Sequence, residues 1–194
     1  MVHPTLFDVN PELPPGLVYR PNFITEAEEA ALLKVIDGLP LFHPTTQGYE
    51  AKRRIIHFGW SFDLDKNILI PGDPLPDFLA PIARKIAKWL AIDKRRVAEA
   101  LINEYPTGYG LGWHRDRESF EHVVGVSLKS YARMRFRPLR TPKGRKRSAK
   151  DALAVPLAPR SAYIMQHASR WEYQHSVAPV EELRYSITFR TLPH

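Results

Sequence analysis

Two amphipathic helical patterns followed by six short apolar or alternating runs predict an α+β, mainly β protein: an antiparallel jelly roll with N-terminal helices packed on one side. Length is the third observation. With 194 residues, 44% of them hydrophobic, the chain can bury one sizeable core, so residues 23–194 read as a single domain behind an extended N-terminal arm, 1–22.

The arm carries Pro4, Pro11, Pro14, Pro15 and Pro21 and no periodicity. From Thr25 the pattern changes. Thr25 and Glu28 form a capping-box signature, Ala31, Leu32, Val35 and Ile36 recur at helical spacing, and Gly38 supplies a stop. A second helix begins near Asp77, carries Phe78, Leu79, Ile82, Ile86, Trp89 and Leu90 on one face, and ends before Asp93. Strands are predicted over 98–105, 122–129, 131–137, 152–158, 161–166 and 184–192, with the basic stretch 140–150 as a loop or hairpin tip.

The composition narrows the chemistry. The chain has no cysteine, so disulfides, zinc fingers and thiol nucleophiles are excluded, and any metal site must use His, Asp or Glu. No apolar run approaches the roughly 18 residues of a membrane span, and the first residues lack the regions of a secretory signal. A cytoplasmic monomer with no membrane partner is expected. The 28 Lys+Arg against 21 Asp+Glu give a formal charge of +7, and the excess is local. From Arg133 to Lys150, nine of eighteen residues are basic and none is acidic. Such a run either attracts nucleic acid through counterion release or is a solvated strand face followed by a loop.

The last strand, "RYSITFR", is amphipathic at period two: Arg184, Ser186, Thr188 and Arg190 share one face, and Tyr185, Ile187 and Phe189 share the other. If the apolar face meets the helices, the arginines point inward, where burial is costly unless anions meet them. Six residues at about 3.3 Å separate their Cα atoms by roughly 20 Å, which suits the two ends of a small dicarboxylate. The alternative is an edge strand with both arginines in solvent. Upstream, "GWHRDRESF" holds His114 and Asp116, a ligand pair or an ordinary charged turn. A third ligand from His175 or His167 would complete a 2-His-1-carboxylate face, which leaves coordination positions open.

The set Asn103-x-Tyr105, His114-x-Asp116, His175 and Arg184-x5-Arg190 resembles the AlkB-like Fe(II)/2-oxoglutarate-dependent dioxygenases, from about Phe23 to Leu192. The segment "RRIIHFGWSF", 53–62, looks like the arginine-led strand ahead of that family's nucleotide-recognition lid. The resemblance implies a double-stranded β-helix in which His114, Asp116 and His175 bind Fe(II) and carry catalysis. It implies that Asn103 and Tyr105 hydrogen-bond 2-oxoglutarate, that Arg184 pairs with the distal carboxylate of 2-oxoglutarate, and that Arg190 supports its chelating end or Asp116. The family usually has Asn where this chain has Ser186, and often Gly where it has Ser176. Between the two histidines, the turn before His175 and the small Ser176 after it favour His175; His167 ends the preceding strand.

With Fe(II), 2-oxoglutarate and O₂, such an enzyme hydroxylates a C–H bond, and a methyl on a base nitrogen then leaves as formaldehyde with succinate and CO₂. A paired base hides that bond, so the substrate must be flipped or single-stranded. Arg54, Trp60 and Glu118 are the expected substrate contacts, with Arg53 and the 133–150 run as further cations and Phe58 and Trp113 as further aromatics. The expected function is oxidative demethylation of N-alkylated bases in DNA or RNA. The alternatives are a same-fold hydroxylase of a tRNA base or a protein, and a catalytically silent nucleic-acid-binding jelly roll.

Overall fold

The structure, a computed structural model, describes residues 13–46, 48–63, 66, 68–140 and 152–193. In chain order the elements are β1 (Leu17–Arg20), α1 (Glu26–Ile36), β2 (Thr45–Thr46), β3 (Tyr49–Glu50), β4 (Arg54–Gly59), β5 (Ser61–Asp63), β6 (Ile68–Ile70), α2 (Ala80–Leu90), β7 (Val97–Tyr105) and β8 (Leu111–His114). The second half follows with β9 (Val123–Leu128), β10 (Ala132–Pro138), β11 (Leu153–Leu157), β12 (Ala162–Met165), α3 (His167–Trp171), β13 (Tyr173–Val177) and β14 (Arg184–Thr191).

Two antiparallel sheets build the jelly roll. The major sheet runs β1-β12-β9-β14-β7-β4 and the minor sheet β11-β10-β13-β8. On the outer face of the major sheet, α1 and α2 bury Leu32, Ile36, Ile82 and Ile86 against Ala100, Ile102, Val124, Val126, Tyr185, Ile187 and Phe189. Between the sheets lie Val123, Met134, Phe136, Val155, Leu157, Met165 and Val177. The amphipathic reading of β14 therefore holds, with its apolar face on the helices.

Both helices begin where expected. The Glu28 backbone N–H donates to Thr25 Oγ1 at 3.2 Å, and the Thr25 N–H donates to Glu28 Oε2 at 2.8 Å, closing the capping box. The second starts as one 3₁₀ turn, Asp77–Leu79, continues as α2, and stops at Ala91 in the left-handed conformation. Among the described residues no helix is long and apolar enough to cross a membrane.

Of the strands not read from the sequence, β1, β8 and β13 bear on the site. β1 lies within the expected arm, paired with β12, and Gly16 makes its entry possible: at φ +84°, a Cβ there would sit 2.2 Å from the Gln166 carbonyl oxygen. β8 and β13 pair through His114 and His175, with a bulge between His175 and Val177. His167, expected at a strand end, instead opens α3 with φ +50°. The expected loop 140–150 lies outside the described residues beyond Arg140.

Candidate active site

A cavity of about 810 Å³ opens between the sheets, walled by Asn103 and Tyr105 from β7, Trp113 and His114 from β8, His175 from β13, and Arg184, Ser186, Thr188 and Arg190 from β14. His114 and His175 are directly opposite in the β8–β13 pair, and their ring centroids are 4.2 Å apart. Asp116, two residues beyond His114, returns to the same side, with Oδ2 3.2 Å from His175 Nε2. One ligand atom from each of the three lies within 4.8 Å of the others.

The surroundings prepare these groups to ligate. The Gly112 carbonyl only accepts, so His114 Nδ1, 2.8 Å away, carries the proton and Nε2 keeps its lone pair. Burial and the neighbouring His175 push His114 down to about 4, leaving it neutral near pH 7. Burial opposes ionisation of Asp116, but Arg190 and the two imidazoles hold its carboxyl well below the usual range. Two imidazoles and one carboxylate, open to a cavity, are the donor set of a divalent metal with free coordination positions.

Arg190 is the hinge of this arrangement. Its Nε and Nη2 donate to Asp116 Oδ1 at 3.1 and 2.5 Å, and its Nη1 donates to Glu99 Oε1 at 2.8 Å. Of the two expected partners, the chelating end of a co-substrate or Asp116, the structure pairs Arg190 with Asp116. Glu99 was not singled out in the sequence. It is 6% exposed, its Oε2 has no partner among the described residues, and desolvation pushes its carboxyl above the usual range.

Arg184 is different. It is 2% exposed and forms no ion pair with a carboxylate among the described residues. Nε and Nη2 donate to Ser127 Oγ, at 3.3 and 3.2 Å, its guanidinium carbon lies 5.1 Å from the Tyr105 ring centre, and Nη1 has no partner among the described residues. Burial pulls its pKa below the ordinary arginine value. An uncompensated buried guanidinium facing a cavity fits an anionic ligand, and a carboxylate supplies the missing acceptor. Asn103 sits on the same wall and accepts from Arg53 Nη1 at 2.8 Å.

Three expected substrate contacts do not line the cavity. Along β4 and the residue before it the cavity is lined by Arg53, Ile55 and His57, so Arg54 falls on the other parity, and Trp60, just past the strand, does not line it. Arg54 instead makes two bonds to Glu104, both at 2.7 Å, and Trp60 lines a separate cavity with Leu75, Arg84 and Lys94. The Glu118 side chain is 72% exposed and pairs with Arg115 at 2.9 Å. Phe58 packs edge-on against Phe78 in the helical layer, whereas Trp113 does line the cavity.

One further residue supports the site from behind. Arg170, 2% exposed, donates to the backbone carbonyls of Asp116, at 3.3 Å, Arg117, and Phe120, at 2.8 Å. It fastens the loop that carries the carboxylate ligand. His167 is exposed and remote from this cluster, so the geometry brings His175 and not His167 to His114 and Asp116.

Comparison with known proteins agrees with this geometry. The family model of the 2OG-Fe(II) oxygenase superfamily matches residues 16–190. The chain is 30% identical over 178 residues to the tRNA (carboxymethyluridine(34)-5-O)-methyltransferase alkbh8 of Xenopus tropicalis, across 88% of this chain and 26% of that protein. It is 31% identical over 186 residues to the alkylated DNA repair protein ALKBH8 homolog of Arabidopsis thaliana, across 84% of this chain and 51% of that one. It therefore spans between about a quarter and a half of the length of these relatives. The solved structure of OsALKBH1 superposes with a TM-score of 0.62 at 18% identity, across 92% of this chain and 99% of that one, and shows the same fold. The chain belongs to the 2OG-Fe(II) oxygenase superfamily, in its AlkB-like branch.

Proposed function

We infer that this chain works as its superfamily's description implies, as a dioxygenase that uses Fe(II), 2-oxoglutarate and O₂. We propose that His114, Asp116 and His175 hold the iron here, and that Arg184, with Tyr105 and Asn103, holds 2-oxoglutarate. We further propose that the enzyme removes methyl groups from the nitrogens of DNA or RNA bases. The observation that carries the reading is the juxtaposition in one cavity of the three-ligand cluster, an unpaired buried arginine and an aromatic wall. Trp113 and His57 line this cavity as aromatic groups for a base, and Arg53 offers a cation at the same wall.

When bound, the iron supplies the activation of O₂ that drives decarboxylation of 2-oxoglutarate and oxidation of the substrate. One oxygen atom ends in succinate and the other on the methyl carbon; the N–C bond of the hydroxymethyl product then breaks, releasing formaldehyde and the unmodified base. The residues do the positioning. Arg184 neutralises the distal carboxylate of 2-oxoglutarate, Arg190 orients Asp116, and the buried walls keep bulk water from the reacting carbon.

Names of relatives support both nucleic-acid repair and tRNA modification, so hydroxylation of a tRNA base is the second reading. The test offers single-stranded oligonucleotides carrying 1-methyladenine or 3-methylcytosine, and unfractionated tRNA, to the Fe(II)-loaded enzyme. Loss of one CH₂ mass from the oligonucleotides, as hydrogen replaces the methyl, with formaldehyde equal to succinate is expected. A gain of one oxygen mass on tRNA, with intact methylated oligonucleotides, supports the second reading instead.

A further inference from the structure

None of the four strands of the minor sheet contains an aspartate or glutamate. β10 nevertheless carries Arg133, Arg135 and Arg137, which alternate with Met134 and Phe136, 1% and 0% exposed. Period two therefore puts all three arginines on the face turned away from the interior.

These arginines differ from others at the surface. Arg54 pairs with Glu104, Arg95 with Asp93, Arg115 with Glu118 and Arg160 with Glu29. On β10 the partners are neutral: Arg135 Nε donates to Ser176 Oγ at 3.0 Å, and Arg137 Nε and Nη2 donate to Gln174 Oε1 at 3.0 and 2.8 Å. Such bonds aim a guanidinium without neutralising it. Both side chains cross β13 to reach the Trp113 ring, whose centre lies 4.2 Å from the Arg137 guanidinium carbon and 5.3 Å from that of Arg135. Trp113 also lines the cavity, one residue before His114. A layer of like charge, with no carboxylate in its sheet, thus adjoins the site.

Repulsion within such a layer is relieved by an extended anion, and the layer's continuity with the cavity selects one that also enters the cavity. We propose that the outer face of the minor sheet holds the single strand adjoining the reacting nucleotide, with Arg133, Arg135 and Arg137 on its phosphates and Trp113 at the point where the strand turns inward. The proposal rests on the nucleic-acid reading above and adds where the rest of the strand lies.

The test uses the Mn(II)-loaded protein with 2-oxoglutarate, without O₂, and measures anisotropy of a labelled single strand of about 15 nucleotides, a trinucleotide and a duplex over a salt series. For Arg135→Gln/Arg137→Gln, the slope of log affinity against log salt for the long strand falls by about 1.4, because each single-strand phosphate left without its arginine removes about 0.7. Trinucleotide binding weakens less, and Arg135→Lys/Arg137→Lys restores the slope. Mn(II) affinity equal to the parent's reports an intact fold. An unchanged slope, a loss confined to the duplex, or no long-strand binding by the parent overturns the proposal. Failure of the demethylase reading is separate: it shows as absent turnover of methylated oligonucleotides whatever the slope.

Discussion

Arg184 and Arg190 stand on one strand face six residues apart, yet their surroundings give them different work. Arg190 is compensated twice, by Asp116 and Glu99, and acts as a strut; Arg184 is buried without an anion. Arg184→Gln is expected to raise KM for 2-oxoglutarate by at least about thirtyfold, because losing one partner of a buried charge pair costs about 2 kcal/mol or more. Initial rates against 2-oxoglutarate concentration check this. Glu99→Gln keeps an acceptor for Arg190 but removes a charge, so Arg190 draws more strongly on Asp116 and weakens it as a ligand. Affinity for Co(II), followed by titration calorimetry, should fall roughly tenfold, the usual scale for groups that support metal ligands. Glu99 was illegible in the sequence because nothing along the chain links it to Arg190, 91 positions away.

Elements show why some of the site could be read and some could not. β14 sets Tyr185, Ile187 and Phe189 on one face and Arg184, Ser186, Thr188 and Arg190 on the other, so period two settled its orientation. β4 follows Arg53 and begins at Arg54, and its pattern does not say which parity faces inward; of the expected contacts Arg53 lines the cavity, whereas Arg54 and Trp60 do not. β8 and β13 are only four and five residues long, too short to show a period, and only their histidines were singled out. A turn was read before His175 where the structure has the short helix α3, and the role of Arg170 in it depends on carbonyls about fifty residues upstream. Arg170→Met leaves these carbonyls without donors. At about 1–3 kcal/mol for an unsatisfied buried group, the melting temperature should drop by several degrees. Differential scanning calorimetry of the metal-free protein decides it, and an unchanged transition would deny Arg170 its fastening role.

At the scale of the whole molecule, the jelly roll with helices on one face was legible because hydrophobic periodicity and turn residues report burial directly. The contents of the cavity were legible only as a set. Two histidines, an aspartate and two arginines mean little singly, but their order matches one chemistry, and folding brings them together. Stability also carries a pH signature. Glu104 lies below its ordinary 4.5, chiefly through its bonds from Arg54. A depressed carboxylate adds stability above its unfolded value and loses that stability as pH falls through the folded one. Glu104→Gln should therefore melt lower than the parent at about pH 7, with the difference shrinking by about pH 3. Thermal melts of both proteins at the two pH values give the sign.

The central claim is that one cavity holds both the metal and 2-oxoglutarate. A crystal structure of the protein with Mn(II) and 2-oxoglutarate, grown without O₂, tests it most directly. The metal should be bound by His114 Nε2, Asp116 and His175, with the co-substrate's distal carboxylate on Arg184. A metal held by His167, or 2-oxoglutarate bound with Arg184 still unpaired, would contradict the account.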